Sequence, residues 1–275
     1  MNLKAVVFDW AGTTVDYGCF APTGVFLEIF RQRGIEITEK EAREPMGKHK
    51  RDHIKWIVSS HRIASEWKKK YGRECSETDI DRMYKNFIPL QLEALEEHSK
   101  TVPELPEALK EIRSLGLKIG STTGYNKEMM VILANAAAKQ GYVPDAIVSV
   151  SDVPGGRPAP WMAFKNAEKL DVYPLHTILK IGDTVSDIEE GINAGMWSVG
   201  VVLSSNEMGL AQDEIKSLNT TELEKRKTEI RNKFLGNEAD FVIDSLAETA
   251  ELIDRINNKL KNDERPGGHT ISQDS

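Results

Sequence analysis

The sequence predicts an α/β fold: a doubly wound parallel sheet core with a helical cap domain inserted after its first strand. Three observations lead there. Short apolar runs recur along the chain, separated for the most part by helical patterns, and strands alternating with helices build βαβ units whose right-handed crossovers give a parallel sheet. The alternation fails in one stretch after the first run, between about Ala21 and Lys100, where only helical patterns remain. The chain has 275 residues, long enough for one large α/β domain plus a smaller insertion.

The first run, Lys4 to Asp9, carries Ala5, Val6, Val7 and Phe8 in succession, the pattern of a strand covered on both faces. Further strands are expected at Leu117 to Thr122, Asp145 to Val150, Thr177 to Ile181 and Trp197 to Leu203, with a shorter one at Asp240 to Ile243. Glu104 to Leu115 has apolar residues at helical spacing and stops at Gly116, a residue suited to a helix C-terminus. Asn126 to Lys139 and Trp161 to Leu170 read the same way. In the insertion, Gly24 to Gln32, His49 to Ser59, Arg62 to Lys70 and Asp79 to Glu97 read as helices, the last opened by Ser76 and Asp79 as a capping box. The expected organisation is a core of residues 1–20 and 101–261, a cap of residues 21–100, and a flexible tail of residues 262–275, which is rich in Pro, Gly and polar side chains.

Composition narrows the function. A net charge of −7 argues against a nucleic-acid binder, which would show a basic face. Cys19 and Cys75 are too few for a disulfide framework and fit a reducing, cytoplasmic setting. Met1 to Lys4 runs straight into the first strand without the apolar region of a signal peptide. No apolar run approaches the roughly 20 residues of a membrane span. A small-molecule enzyme is the expectation. Against the acidic background, Lys48, His49, Lys50, Arg51, His53 and Lys55 form a basic cluster suited to drawing in an anion.

In a doubly wound sheet the chemistry gathers at the carboxyl ends of the strands. Asp9 ends the first strand and is followed by Trp10-Ala11-Gly12-Thr13-Thr14, a loop whose amides can face an anion. Asp183 and Asp187 follow the Thr177 to Ile181 strand. Two carboxylates there suit a hard cation such as magnesium, which takes oxygen ligands, and equally suit a helix N-cap and first turn. Gly120 to Gly124 brings small residues and hydroxyls to a third strand end, and Arg157 lies in the Gly/Pro-rich loop after a fourth. Singly, each of these is also an ordinary turn or surface residue.

In order and spacing, Asp9, Thr123, Arg157 and the Asp183/Asp187 pair resemble the motifs of the haloacid dehalogenase superfamily. The resemblance covers nearly the whole chain apart from the tail. It implies that Asp9 takes up a phosphoryl group and that Mg2+ is held by Asp9, the Ala11 carbonyl and Asp183, with Asp187 in support. One departure is informative: the phosphatases of that superfamily carry a general acid two residues after the nucleophile, where this chain has Ala11. Such an acid is typically worth about 10²–10⁴-fold in rate.

The strings Asp9 to Gly18 and Met46-Gly47-Lys48-His49-Lys50-Arg51-Asp52-His53 resemble more closely the phosphonatases, which hydrolyse phosphonoacetaldehyde. Gly120 to Met130 and Gly155 to Met162 are similar to that family as well. The resemblance implies an imine on Lys50, with His53 relaying protons or orienting water. It also implies a substrate cradle of Gly12, Thr13, Thr123, Gly124, Arg157 and Met46, and a homodimer joined through the cap. An imine would accept the electrons of a breaking carbon–phosphorus bond, which explains why no acid is needed at Ala11. Lys48 and Lys55 are rivals for the imine, and Lys48, Arg51 and His53 are expected to lower the Lys50 pKa. The alternatives are another capped phosphatase or phosphomutase of the superfamily, or a binding module without turnover.

Overall fold

The computed structural model describes residues 1–267. In chain order the regular elements are β1 (Ala5–Phe8), α1 (Phe20–Arg31), α2 (Glu39–Arg43), α3 (Lys50–Ser59), α4 (His61–Tyr71), α5 (Glu77–Glu97), α6 (Leu105–Ser114), β2 (Lys118–Thr123), α7 (Lys127–Ala138), β3 (Ala146–Ser149), α8 (Trp161–Leu170), β4 (Ile178–Gly182), α9 (Val185–Ala194), β5 (Trp197–Val201), α10 (Gln212–Ser217), α11 (Thr220–Gly236), β6 (Phe241–Ile243) and α12 (Thr249–Lys261). The six strands form one sheet in the order β3-β2-β1-β4-β5-β6, every pair parallel. The predicted fold class is therefore the observed one. The chain winds outward from β1 to β2 and β3, then returns to the other side of β1 for β4 to β6, which makes the β1/β4 boundary the switch point where such sheets bind ligands.

Alternation along β1 explains its unbroken apolar run. Val6 and Phe8 join the large core with Ile112 of α6, Leu133 of α7 and Ile253 of α12, whereas Ala5 and Val7 face Ala163 and Ala167 of α8. The smaller side chains let α8 lie close to the sheet. At Gly120 of β2 even a methyl group would collide with Asn166 of α8, whose amide donates to the Ser121 carbonyl at 2.6 Å.

The five helices α1 to α5 lie between β1 and β2 in the chain. Their apolar faces meet in the same continuous core as the sheet, through Phe26 and Phe30 of α1, Ile54 and Ile57 of α3, Trp67 of α4 and Met83 and Phe87 of α5. The capping box opening α5 is present: Asp79 N–H donates to Ser76 Oγ at 3.3 Å and Ser76 N–H to the Asp79 carboxylate at 2.9 Å. Gly116 ends α6 with φ +74°, as its sequence position suggested. Helix α2 and the α10–α11 pair fall where the sequence reading names no element. Of the tail, residues 262–267 are described, with Gly267 N–H donating to the Asp240 carboxylate at 2.8 Å, and residues 268–275 lie outside the described residues. Among the described residues no helix is long and apolar enough to cross a membrane.

Candidate active site

Asp9 is the first residue past β1, and its N–H donates to the Ile181 carbonyl of β4 at 2.9 Å. The chain then turns tightly: the Trp10 carbonyl accepts from the N–H groups of Thr13, Thr14 and Val15, and Thr14 Oγ1 donates to the Asp9 carbonyl at 3.0 Å. This turn holds the Asp9 side chain at the switch point. Gly12 adopts φ +86° there, and a Cβ on it would run into the Asp183 carboxylate. Thr13 Oγ1 donates to Asp183 Oδ1 at 3.3 Å, and Asn206 N–H donates to its Oδ2 at 2.8 Å. Thr184 caps α9, its Oγ1 accepting from Asp187 N–H and donating to Asp187 Oδ2 at 2.6 Å.

Arg157 reaches in from the loop before α8. Its Nη2 lies 2.6 Å from Asp9 Oδ1 and 3.1 Å from Asp187 Oδ1, and its Nε lies 2.9 Å from Glu190 Oε2. Lys180 of β4 pairs with Asp187 at 2.6 Å. Burial pushes the Asp9 carboxyl up even though Arg157 pulls it down. Burial and the neighbouring Asp9 and Asp187 charges push Asp183 well above the carboxylate range. Asp187, equally buried, is held below that range by Arg157 and Lys180.

Oxygen ligands from Asp9, Asp183 and Asp187 lie within 4.8 Å of one another, a hard donor set that suits a divalent cation. The charges agree with this. Buried Asp9, Asp183, Asp187 and Glu190 face buried Arg157 and Lys180, an excess of negative charge that a low-dielectric site does not tolerate without a counter-ion. Both Asp187 oxygens are engaged, one by Lys180 and Arg157 and the other by Thr184. Asp9 and Asp183 keep more free acceptor capacity.

The opposite wall belongs to the helices between β1 and β2. A pocket is lined by Asp9, Ala11, Thr123, Arg157 and Asp183 on one side and by Cys19, Met46, Gly47 and Lys50 on the other. Lys50, the first residue of α3, is 6% exposed. Its Nζ lies 3.9 Å from Met46 Sδ and over the rings of Phe26 and Tyr125, at 5.7 and 5.0 Å from their centroids. Among the described residues no carboxylate comes within salt-bridge distance of it. Burial lowers its pKa, opposed by Cys19 and Asp9 and aided by Arg157.

Two expectations need correction here. The cation beside Lys50 is Arg157, not Lys48 or Arg51. Arg51 points away into ion pairs with Glu77 and Asp81, and Lys55 pairs with Glu77, so these charges are spent within the helical layer instead of drawing an anion inward. Lys55 is exposed and Lys48 half-buried. Of the three rival lysines, Lys50 alone lines the pocket.

Gly124 also lines the pocket; Gly12, Thr13, Asp187 and His53 do not. Thr13 holds Asp183 and Asp187 holds Arg157 from behind it, and Gly12 leaves room for the Asp183 carboxylate. His53 shares helix α3 with Lys50 but is fully buried, stacked on Phe26 with centroids 3.6 Å apart, with Nε2 2.8 Å from the Ala42 carbonyl. Burial and the Lys50 charge hold it well below its ordinary pKa, as a neutral ring. Sequence reasoning singled out neither Tyr125 nor Pro22 or Thr184, which line the pocket, nor Lys180 and Glu190 beneath it. A lysine amid the apolar residues of β4 was the available signal for Lys180; Glu190 gave none beyond its place one turn after Asp187.

The model of the haloacid dehalogenase-like hydrolases matches residues 3–195. A phosphonoacetaldehyde hydrolase of Bacillus cereus is 50% identical over 256 residues, 93% of this chain and 97% of that protein. A bifunctional phosphonoacetaldehyde hydrolase/aminoethylphosphonate transaminase of Clostridioides difficile is 49% identical over 263 residues, 95% of this chain and 41% of that longer protein. Among solved structures, a phosphonoacetaldehyde hydrolase-like protein from Oleispira antarctica superposes with a TM-score of 0.95 at 39% identity, covering 97% of this chain and 96% of that one. The fold, the strand-end carboxylates and these likenesses agree: the chain belongs to the haloacid dehalogenase-like hydrolases and, within them, to the phosphonoacetaldehyde hydrolase family.

Proposed function

We propose that the chain hydrolyses the carbon–phosphorus bond of phosphonoacetaldehyde to acetaldehyde and phosphate, using Lys50 and Asp9 from opposite walls of one pocket. The observation that carries the mechanism is a buried amine that has no carboxylate partner among the described residues, facing a buried strand-end carboxylate, in a site whose superfamily acid position is Ala11. Lys50 is drawn toward its neutral form by burial. It attacks the aldehyde carbon and expels water as the imine forms. The protonated imine then accepts electrons: Asp9 attacks phosphorus, the carbon–phosphorus bond breaks, and its electron pair moves through carbon onto nitrogen as an enamine. Protonation at carbon and hydrolysis release acetaldehyde and free Lys50. Water cleaves the aspartyl phosphate to give phosphate and Asp9.

Arg157, against Asp9, is suited to hold the phosphonate oxygens, with Thr123 and Gly124 beside it and Met46 packing against the Lys50 stem. His53, neutral and buried on α3 against Phe26 and the Ala42 carbonyl, is suited to exchange protons with the pocket only through an intervening group. Asp9, the Ala11 carbonyl and Asp183 would hold Mg2+, braced by Asp187; when bound it supplies positive charge to the phosphonate oxygens. The helices of residues 21–100 act in this reading as a cap over a core of residues 1–20 and 101–261, in a cytoplasmic homodimer joined through the cap.

Borohydride reduction in the presence of phosphonoacetaldehyde, followed by peptide mass mapping, tests the mechanism. Lys50 should carry the reduced adduct. Labelling of Lys48 or Lys55 in its place would reassign the amine, and an active enzyme with no labelled lysine would rule out the imine.

A further inference from the structure

Arg157 comes from an irregular loop, yet its guanidinium must meet the Asp9 side chain in one orientation. What fixes it lies behind the pocket. Glu190, one turn along α9 from Asp187, is fully buried, and its Oε2 accepts from Arg157 Nε at 2.9 Å and from Thr122 Oγ1 at 3.0 Å. Thr122 in turn accepts from Arg157 Nη2, at 2.8 Å on its hydroxyl and 3.1 Å on its carbonyl. Lys180 Nζ lies 3.5 Å from the same Glu190 oxygen and 2.6 Å from Asp187. Nε is thus anchored to α9 through Glu190, and Nη2 is held against Thr122 of β2 while it meets Asp9 and Asp187.

Burying a carboxylate costs several kcal/mol unless it is paired and hydrogen-bonded, and Glu190 does not itself line the pocket. Structural need alone would be met by an apolar side chain packed between α9 and the sheet. We propose that Glu190 is a positioning residue for carbon–phosphorus cleavage: with Thr122 it clamps Arg157 so that one amino group is presented to Asp9 and the phosphonate. Without that charge, Arg157 is left between two carboxylates, Asp9 and Asp187, and is free to swing into a chelating pair that ties up the nucleophile. The inference rests on the proposed reaction and adds a residue to it.

The test separates the two chemical steps: at saturating phosphonoacetaldehyde, imine formation on Lys50 draws on Arg157 only through its nearby charge, which Glu190→Gln retains, whereas phosphoryl transfer depends on where its amino group points. The full chain is assayed with excess magnesium for phosphate release in a single turnover and, separately, for the rate of borohydride labelling of Lys50. Glu190→Gln should slow phosphate release by about 10²-fold, the loss expected when a reacting group is misplaced by an ångström, with labelling within about twofold of the unaltered chain. In an Arg157→Lys background the same substitution should change release by no more than about twofold, since the two residues act as a unit. Unchanged release, release and labelling falling in step, or an undiminished loss in the Arg157→Lys background would each overturn the assignment. Should Glu190→Gln fail to fold, Thr122→Val must reproduce the split and Thr122→Ser restore it; a Thr122→Val enzyme with normal release would overturn the clamp. Failure of the proposed reaction would show differently, as an unaltered chain that neither releases phosphate nor is labelled.

Discussion

Charge and burial pull against each other in Asp9, Lys50, Arg157 and Asp183, and the reading of each rests on which wins. For Lys50 burial wins: its one hydrogen-bond partner among the described residues is the Met46 thioether, and no described carboxylate pairs with it. A lysine whose folded pKa lies below 10.5 supplies neutral amine at lower pH than a surface lysine does. The rate of Lys50 labelling should therefore rise and level off at lower pH than that at which exposed lysines become reactive, as a pH series of borohydride trapping would show. Lys50→Arg keeps a cation but cannot condense with an aldehyde, so it should abolish cleavage and leave phosphonate binding intact by calorimetry, whereas Lys48→Arg should be tolerated. Burial and the Asp9 and Asp187 charges favour loss of the Asp183 charge, outweighing the Asn206 N–H and Arg157 that favour keeping it. Asp183→Ala should raise the magnesium concentration needed for half-maximal rate and depress turnover together; an unchanged metal requirement would remove Asp183 from the ligand set. Ala11→Asp should leave phosphonoacetaldehyde cleavage no faster, because an enamine needs no proton from that position, and a large gain would refute that account.

At the level of elements, both crossings between sheet and helical layer are short, and one ion pair joins them. Asp16, with φ +54°, caps α1 by accepting from the N–H groups of Phe20 and Ala21 at 3.0 and 2.9 Å. Its Oδ1 also lies 3.3 Å from Nδ1 of His98, the residue that ends α5. The hydrogen bond to Asp16 raises the His98 pKa above 6.5, with Glu97 adding to it. A histidine with a raised folded pKa contributes stability that is fully present below its unfolded pKa and lost as pH rises through the folded one. The stability difference between the unaltered chain and His98→Gln should accordingly be larger at about pH 5.5 than at about pH 8.5, measured by urea unfolding at each pH. A difference that does not change with pH would mean that the pair is neutral in the fold. Farther along the same layer, Ser76→Ala removes one side of the α5 capping box and should cost about 1 kcal/mol by the same method.

Across the whole molecule, the site exists only where two layers meet closely. Gly47, at φ +88°, brings the loop before α3 so near the sheet that a Cβ would press on Thr184 Oγ1 and Ser186. From the other side, a Cβ on Gly124 would sit 3.0 Å from the Lys48 carbonyl. These two glycines permit the close approach that brings Lys50 and Asp9 to one pocket. Gly47→Ala strains the backbone and wedges the contact, so it should lower kcat/KM by about 10²-fold and slow Lys50 labelling with it. That behaviour is distinct from Glu190→Gln, in which labelling persists. Full activity in Gly47→Ala would mean that the reacting groups meet without this contact.

The parallel sheet, the helical layer after β1 and the strand-end residues Asp9, Thr123, Asp183 and Asp187 were legible in the sequence because each rests on local pattern. An apolar run, a helical period and a carboxylate after a strand are properties of a few consecutive residues. Lys50 was legible only through its resemblance to a family, since among Lys48, Lys50 and Lys55 nothing local says which is buried. Tertiary structure decided that, along with the identity of the cation beside it: Arg157 stands 107 positions away in sequence numbering yet acts on Lys50, while its near neighbours Arg51 and Lys55 are spent in ion pairs. Glu190 and Lys180 were likewise hidden, because a buried charge is defined by its partners, and those partners come together only when β2, β4, α9 and the loop before α8 pack around one point.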